Sequence, residues 1–370
     1  MVGTSETKSR MDIPWRALTM VGALLVIWAI FSITTDGIFL TPRNLSNLFR
    51  QMAVTSILAV GMVLVIVAGQ IDLSVGALTG FLGALSAMMF VNHGWPLWAA
   101  FLLPVVVGCA LGAAQGYLVS RFAIPPFIVT MGGMLVCQGA LLGATGGVAI
   151  SPTPDYLYIG QSYVAPWMGW ILAGLLIAAF LITAFKKTGR VRFVWLGLSV
   201  LVMGFITLTN SYEGIPMPVL LMLVLAAVLA VVAAHTPFGR HLYAIGGNKE
   251  AAFYSGINIH IRIVQVFALM GALAGVAGIV LTARVGSATS DAGRMMELDA
   301  IAAAVIGGTS LLGGRGTVWG ALLGGLVMAS LDNGMSLMNT EAFWQPILKG
   351  TILVSAVGMD MVSRNAGKRV

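Results

Sequence analysis

The chain has 370 residues, of which 58% are hydrophobic and only 9% are charged, with a formal net charge of +7. Soluble domains are about 45–50% apolar and about 25% charged, so this composition excludes water as the main solvent and points to the lipid bilayer. The basic surplus is scattered singly through polar connections instead of forming a stripe, which argues against nucleic acid as a partner.

In chain order, apolar runs fall at residues 17–33, 52–68, 74–91, 97–119, 127–146, 167–185, 193–209, 217–234, 263–283, 298–312, 316–334 and 345–362. They predict an all-α polytopic membrane protein of about 10–12 transmembrane helices, since one helix needs about 20 residues to cross the hydrocarbon core. The run at 298–312 is short for a span, which leaves a broken or re-entrant helix open there. On this reading residues 17–362 form a single transmembrane domain, preceded by a segment 1–16 that carries Lys8, Arg10 and Arg16 and followed by a tail at 363–370. No small-residue cleavage site follows the first run, so it reads as a retained span. Lys and Arg set the orientation, because cytoplasmic connections retain positive charge during insertion. With the N-terminus inside, only Arg43, Arg50, Arg284 and Arg294 fall outside and Lys349 lies within the last run, so both termini are expected in the cytoplasm.

Three connections stand out. The stretch near 147–166, with VAISPTPDYLYIGQSYVAPW at 148–167, is expected as an outer loop whose aromatic rings anchor at headgroup level. KKTGRVR at 186–192 makes a basic inner turn. The longest is the inner loop 235–262, HTPFGRHLYAIGGNKEAAFYSGINIHIR. There Gly246 and Gly247 read as a glycine turn, Asn248 as the N-cap of a short helix, Glu250 as an acid at the positive end of its dipole, Ala251 and Ala252 as a flat face, and Gly256 as the terminator. A helix there has neither lipid nor core to bury itself against, so a partner protein is its natural receiver. The alternative is an amphipathic helix lying on the membrane.

Glycine recurs at four-residue spacing at Gly76 and Gly80, at Gly108, Gly112 and Gly116, at Gly271 and Gly275, and at Gly320 and Gly324. Small residues so placed let helix backbones approach where lipid supplies no hydrophobic drive. GQIDLSVGALTGFLGAL near residue 69 and GGTSLLGGRGTVWGALLGGL near residue 307 both put a polar, glycine-bounded turn before a glycine-rich helix, which hints at two related halves.

Chemistry-bearing residues are few. No phosphate-binding loop, HExxH motif or nucleophile elbow occurs, so ATP must be handled by another subunit if it powers the protein, and no catalytic pair is legible. Asp72, followed by Ser74 and Gly76, is placed to cap the next helix, with gating or subunit contact as the alternative. Arg284, Asp291, Arg294, Glu297 and Asp299 are expected together at the outer mouth, either as a docking rim for a binding protein or as solvated charge. Lys349 is expected to snorkel toward the interface. Cys109 and Cys137 read as bystanders, and no histidine spacing suggests a metal site.

The string Glu250, Ala251, Ala252, three residues, Gly256 resembles the EAA loop of importers of the ATP-binding cassette type. QIDLSVGA at 70–77, FGRHLYAIGGN at 238–248 and ELDAIAAAVIGGTSLLGGRGTVWG at 297–320 resemble the monosaccharide permeases of the ribose, galactose and xylose systems, over roughly residues 40–365. TTDGIFL at 34–40, SLDNGMSLM at 330–338, FWQPILKG at 343–350 and the extra hairpin at 186–216 are similar to the xylose branch. One departure is Gln70, where many relatives carry a second glycine. The resemblance implies a type II-like importer permease fold in the bacterial inner membrane and a homodimer around a central pathway. It also implies a cytoplasmic two-cassette ATPase that holds ATP and Mg, a periplasmic sugar-binding protein, and a monosaccharide cargo, D-xylose first and ribose or galactose as alternatives. The chain itself is expected to bind no cofactor or metal and to catalyse no reaction. An ion-coupled secondary transporter is the rival class; its mark would be mid-span carboxylates or histidines, of which the sequence shows few.

Overall fold

The computed structural model describes residues 15–186, 189–341 and 343–367. Lys8 and Arg10, Lys187, and the final residues Lys368 to Val370 lie outside the described residues. Among the described residues fifteen α-helices follow one another: α1 Trp15–Thr34, α2 Pro42–Val67, α3 Val75–Val91, α4 Leu97–Arg121, α5 Pro126–Thr145, α6 Pro154–Gln161, α7 Pro166–Lys186, α8 Arg190–Asn210, α9 Met217–His235, α10 Pro237–Gly247, α11 Lys249–Tyr254, α12 Ile259–Val285, α13 Met296–Ile306, α14 Val318–Leu337 and α15 Trp344–Gly367. Each of the twelve predicted runs overlaps one of these helices, the tenth only over 298–306. Among the described residues seven, α2, α4, α5, α7, α8, α9 and α12, are long and apolar enough to cross a membrane, and α1 and α3 add shorter apolar stretches. α14 and α15 also have spanning length, at 20 and 24 residues. α15 continues to Gly367, so most of the expected C-terminal tail is helix.

Helix starts follow capping chemistry. Thr41 accepts from the Asn44 N–H ahead of α2, Thr236 from Gly239 ahead of α10, and Thr317 from Gly320 ahead of α14, each satisfying an amide that the helix cannot. Pro42 and Pro237 occupy the first turn, where a missing N–H costs nothing.

α2 is the centre of the bundle, with 83% of its apolar stretch buried, and α12 follows at 67%, while α8 buries 11%. The peripheral helices leave Leu135 and Val136 of α5, Leu175 of α7 and Val200 and Leu201 of α8 open, as expected of side chains whose solvent is hydrocarbon. What joins α4 to α12 is small residues. A Cβ added to Gly108 would strike the Gly271 carbonyl and one on Gly271 the Gly108 carbonyl, while Gly112, Gly116 and Gly275 press against Phe267, Val264 and Pro104. All the glycine pairs singled out from spacing meet backbone in this way, whereas Gly139 and Gly143 of α5 face open space.

The tenth run gives the shortest helix of the twelve. α12 ends beside α6, where Gly160 packs on Ala283 and Arg284, and Ile150 and Ala288 exchange backbone hydrogen bonds of 3.0 and 2.8 Å. The chain then turns back along α3 in irregular conformation, setting Ala292 against Gly80 and Gly293 against Gly76. Only there does α13 begin. Its 11 residues rise about 16 Å, roughly half of the hydrocarbon core. Gly307 and Gly308, the latter at φ +90°, then stop it. The turn at 307–317 reaches the bundle end that carries α10, where the Gly314 N–H donates to the Val67 carbonyl at 2.9 Å. So the open alternative at 298–312 resolves as a re-entrant segment followed by a half-helix. The two hairpins that looked related in sequence, α2–α3 and α13–α14, turn at this same end and touch.

Two connections carry more regular structure than expected, the outer one read as a loop and the inner one as a loop with a single short helix. Residues 147–166 contain α6 and a two-residue strand, β1 Tyr163–Val164, paired antiparallel with β2 Ile215–Pro216. Tyr156 is fully buried between Phe90 and Phe101 instead of anchoring in headgroups, while Tyr158 and Trp167 are the exposed rings. The inner loop 235–262 is two helices, α10 and α11, because the Thr236 cap and Pro237 restart the chain one residue after α9 ends.

Gly271→Leu should therefore cost the detergent-purified protein about 1–3 kcal/mol through overpacking against the Gly108 carbonyl, and Gly139→Leu should not. Thermal unfolding monitored by size-exclusion fluorescence checks this; equal midpoints for both variants would remove the α4–α12 seam from the fold's stability.

Candidate functional site

Three groups of predicted residues can now be placed. The first is the α10–α11 segment. The Asn248 side chain accepts from the Ala251 N–H at 3.0 Å and so caps α11, with Glu250 in its first turn. Gly256, at φ +79°, adopts the left-handed conformation that ends it. Gly246 and Gly247 are not a turn, since they form the last turn of α10. A Cβ on Gly246 would strike the Val67 carbonyl, and Gly314 lies against Gly247. Ala251 and Ala252 do not share an outward face, because Ala251 is exposed and Ala252 is buried. The outward face instead carries Phe253 and Tyr254, 65% and 85% exposed, with ring centroids 5.7 Å apart. Beside them a cleft of about 690 Å³ opens between Gly69 and Gln70, the α4–α5 connection and Asn258.

α10 ties this surface to the bundle. Burial pushes the Tyr243 hydroxyl above the ordinary phenol range, so it stays protonated and donates to the Gly316 carbonyl at 2.8 Å. α11 is thus fastened through α10 to the end of α2 and to the turn between α13 and α14.

The second group is the hairpin motif. Asp72 is buried, and its Oδ1 accepts from the Ser74 N–H at 2.8 Å and the Ser74 hydroxyl at 2.7 Å, whose oxygen lies 3.1 Å from the Gln115 side chain of α4. Asp72 therefore fixes the turn before α3, with Ser74 in the N-cap position, and does not bond the helix amides directly. Gly76 admits Glu297 and the Gly293 carbonyl. Gln70 does not take positive φ, so its position has no need of the glycine seen in many relatives; Gly69, at φ +74°, makes the turn.

The third group, expected as one outer rim, separates by depth. Arg284 stays at the α6 end, near Arg50, whose guanidinium donates to the Gly160 carbonyl and the Tyr163 hydroxyl, both at 3.2 Å. Asp291 and Arg294 pair with each other at 3.5 Å on the descending segment. Glu297 sits against Gly76. Asp299 is deeper in α13 and accepts from Lys349 of α15 at 2.9 Å, and Asp332 of α14 lies 3.0 Å from the same ammonium. Lys349 consequently does not snorkel. It bridges two carboxylates inside the bundle and clasps α13 to α14 and α15. Sequence spacing could not show this, as Asp299 is 50 residues from Lys349. Among the described residues no group of His, Cys, Asp and Glu could hold a metal ion.

Removing the ammonium leaves the buried Asp299 carboxylate without its partner and beside the partly exposed Asp332, and a buried pair that loses one partner costs about 3–5 kcal/mol. Lys349→Met is expected to cut the amount of folded protein in the membrane, and adding Asp299→Asn and Asp332→Asn to it should restore most of that loss. Quantitative blotting of membrane fractions tests this, and normal abundance of the single variant would show the triad to be dispensable.

The family described as the permease component of branched-chain amino acid transport systems matches residues 44–357. Among curated relatives, the xylose transport system permease protein of Escherichia coli (strain K12) is 46% identical over 365 residues, covering 94% of this chain and 92% of that protein. The corresponding protein of Haemophilus influenzae is 44% identical, covering 92% and 95%. The ribose import permease protein of Bacillus subtilis is 37% identical, covering 96% of both. No solved structure matches the chain at a significant level. With relatives matched along nearly all of its length and the family along residues 44–357, the chain belongs to this family of multi-pass membrane permeases.

Proposed function

We propose that this chain is the translocating subunit of an ATP-driven importer for D-xylose, with another monosaccharide as the alternative cargo. The observation that carries the reading is the likeness to xylose transport permeases over 94% of the chain. The family's description names branched-chain amino acids, yet the relatives cited are sugar permeases, which favours sugar as the cargo. In this reading the chain works as a homodimer in the inner membrane with both termini in the cytoplasm. ATP and Mg belong to a two-cassette ATPase on the α10–α11 side. A periplasmic binding protein docks on the α6 side, where Arg50 and Arg284 sit without a carboxylate partner among the described residues.

The α11 surface supports the coupling role. Two adjacent exposed aromatic rings on a capped six-residue helix are an anchor of the kind that dominates protein interfaces. Nucleotide binding would shift the balance between two packings of the helices, and needs only a differential affinity of the ATPase for them.

Deleting the gene for this chain should abolish high-affinity xylose uptake, and a plasmid copy should restore it. Loss of ribose, galactose or leucine uptake with xylose uptake intact would reassign the cargo.

Coupling is tested by Phe253→Ala, Tyr254→Ala and Glu250→Lys. All three side chains are exposed, so insertion and abundance should stay normal, while uptake and permease-stimulated ATP hydrolysis in proteoliposomes fall together by about tenfold or more, the loss expected of an interface hot spot. Normal uptake in all three with the complex assembled would take α11 out of the mechanism.

A further inference from the structure

Asp291 and Arg294 were expected at the outer mouth, but the backbone contacts of their segment place them far inside. Their neighbours Ala292 and Gly293 lie against Gly80 and Gly76 of α3. Gly80 is eleven residues short of Val91, where α3 ends on the α6 side, a rise of about 16 Å. From the other end, α13 needs its 11 residues, again about 16 Å, to reach the turn at Gly307. Both counts put the pair near the middle of a core about 30 Å thick.

At that depth the pair is nevertheless open. The side chains of Arg294 and Asp291 are 71% and 73% exposed, Ser290 beside them is exposed as well, and the backbone of the segment is irregular. Hydrocarbon does not tolerate this: charged side chains and non-helical backbone at mid-membrane persist only where they line a water-filled cavity or are covered by protein. The open surfaces of the peripheral helices, such as those of Val200 and Leu201 on α8, are mainly apolar, and the exposed hydroxyls of Thr183 and Thr207 there bond back to their own helix carbonyls. The segment thus packs one side on α3 and leaves Ser290, Asp291 and Arg294 on a polar, open side at mid-depth.

We propose that Ser290, Asp291 and Arg294 line the translocation pathway at mid-membrane and form the contact over which the sugar passes. This rests on the reading that the cargo is a monosaccharide. A carboxylate accepts from sugar hydroxyls, a guanidinium donates to them, and a serine hydroxyl does both. The pair is neutral in sum, so it suits an uncharged polyol. Its two members already bond each other at 3.5 Å, so a passing hydroxyl exchanges one partner for another and is held loosely, as passage requires. The left-handed backbone at Gly293 and at Met295, φ +79° and +62°, turns this segment sharply into α13.

The test uses the reconstituted complex with its ATPase and binding protein. In a background with Cys109→Ser, the variants Ser290→Cys, Asp291→Cys and Arg294→Cys are exposed to a charged, membrane-impermeant methanethiosulfonate, with Val200→Cys as the lipid-facing control. The three pathway variants should react and the control should not. Independently, Asp291→Asn and Arg294→Gln should lower the maximal uptake rate by about tenfold, the loss expected when a hydrogen bond to a charged group is removed, with the half-saturation for loaded binding protein unchanged. Failure of the charged reagent to reach residues 290, 291 and 294 would overturn the proposal. So would a raised half-saturation at unchanged maximal rate, which marks a docking rim, or spontaneous cross-linking of Arg294→Cys between copies with loss of the dimer in Asp291→Asn, which marks an interface. Thiol reactivity does not depend on the sugar, so a mistaken cargo would show as absent xylose uptake in the unmodified transporter while the labelling still judges the pathway.

Discussion

Direct contact between backbones at glycine holds this bundle together, and the rest of the structure depends on it. Lipid tails are as apolar as leucine, so helices in a bilayer gain little by burying apolar side chains against each other and associate through close van der Waals packing. Gly108 against Gly271 joins α4 to α12, and Gly307 against Gly320 with Gly324 against Ala303 joins the half-helix α13 to α14. The same device sets the irregular segment before α13 against Gly76 and Gly80. A single Cβ at any of these positions would meet a carbonyl. The abundance of glycine is therefore specific placement, and Gly139 and Gly143, which touch nothing, mark by contrast the face turned to lipid.

Close approach also explains how a half-helix survives at membrane depth. A bilayer offers no water to unpaired amides, so irregular backbone must find partners in protein. The segment before α13 does so locally, with Ala292, Arg294 and Met296 donating to Thr289, Asp291 and Gly293. The Lys349 bridge to Asp299 and Asp332 then fixes α13 sideways. A buried carboxylate, Asp299, and a partly exposed one, Asp332, share one cation here, an arrangement stabilising only while all three members remain. Asp299 and Asp332 are also the mid-span acids that an ion-coupled carrier would display. Their clasp on one lysine between three helices accounts for them structurally.

Periodicity made the helices legible and topology hid the rest. Each predicted run became a helix because span length and apolarity are local properties, and the Asn248 cap and the Gly256 stop were readable for the same reason. α10 was readable in principle, since Thr236 followed by Pro237 is a helix start, but Gly246 and Gly247 read as a turn and not as a helix end. Nothing local could reveal the depth of Asp291 and Arg294, which depends on Ala292 meeting Gly80 more than two hundred residues away in the chain. The Lys349 triad and the burial of Tyr156 are non-local in the same way. The aromatic face of α11 was missed because Phe253 and Tyr254 look like ordinary helix residues until one sees that nothing covers them.

The stiffness of these joints bears on how the two ends of the molecule communicate. Between the exposed face of α11 and the polar pair run mostly backbone contacts and two hydrogen bonds: Gly246 on Val67, the Gly314 N–H on the Val67 carbonyl, Gly314 on Gly247, the Tyr243 hydroxyl on the Gly316 carbonyl, then α13 itself up to Glu297 on Gly76. Side chains could absorb a displacement by changing rotamer, but glycines against carbonyls cannot, and packed elements of this kind shift as units between discrete arrangements. A movement of α11 is therefore delivered to the turn at 307–317 with little loss. α13 is only three helical turns long and Lys349 clasps it at Asp299, its fourth residue, so a displacement of that turn either tilts α13 about the lysine clasp or breaks the clasp. Tilting keeps the ion pairs, and it moves the N-terminal end of α13, beyond which Arg294 and Asp291 stand. On the importer reading, the docking surface and the mid-membrane pair are the two arms of one lever with its pivot at Lys349.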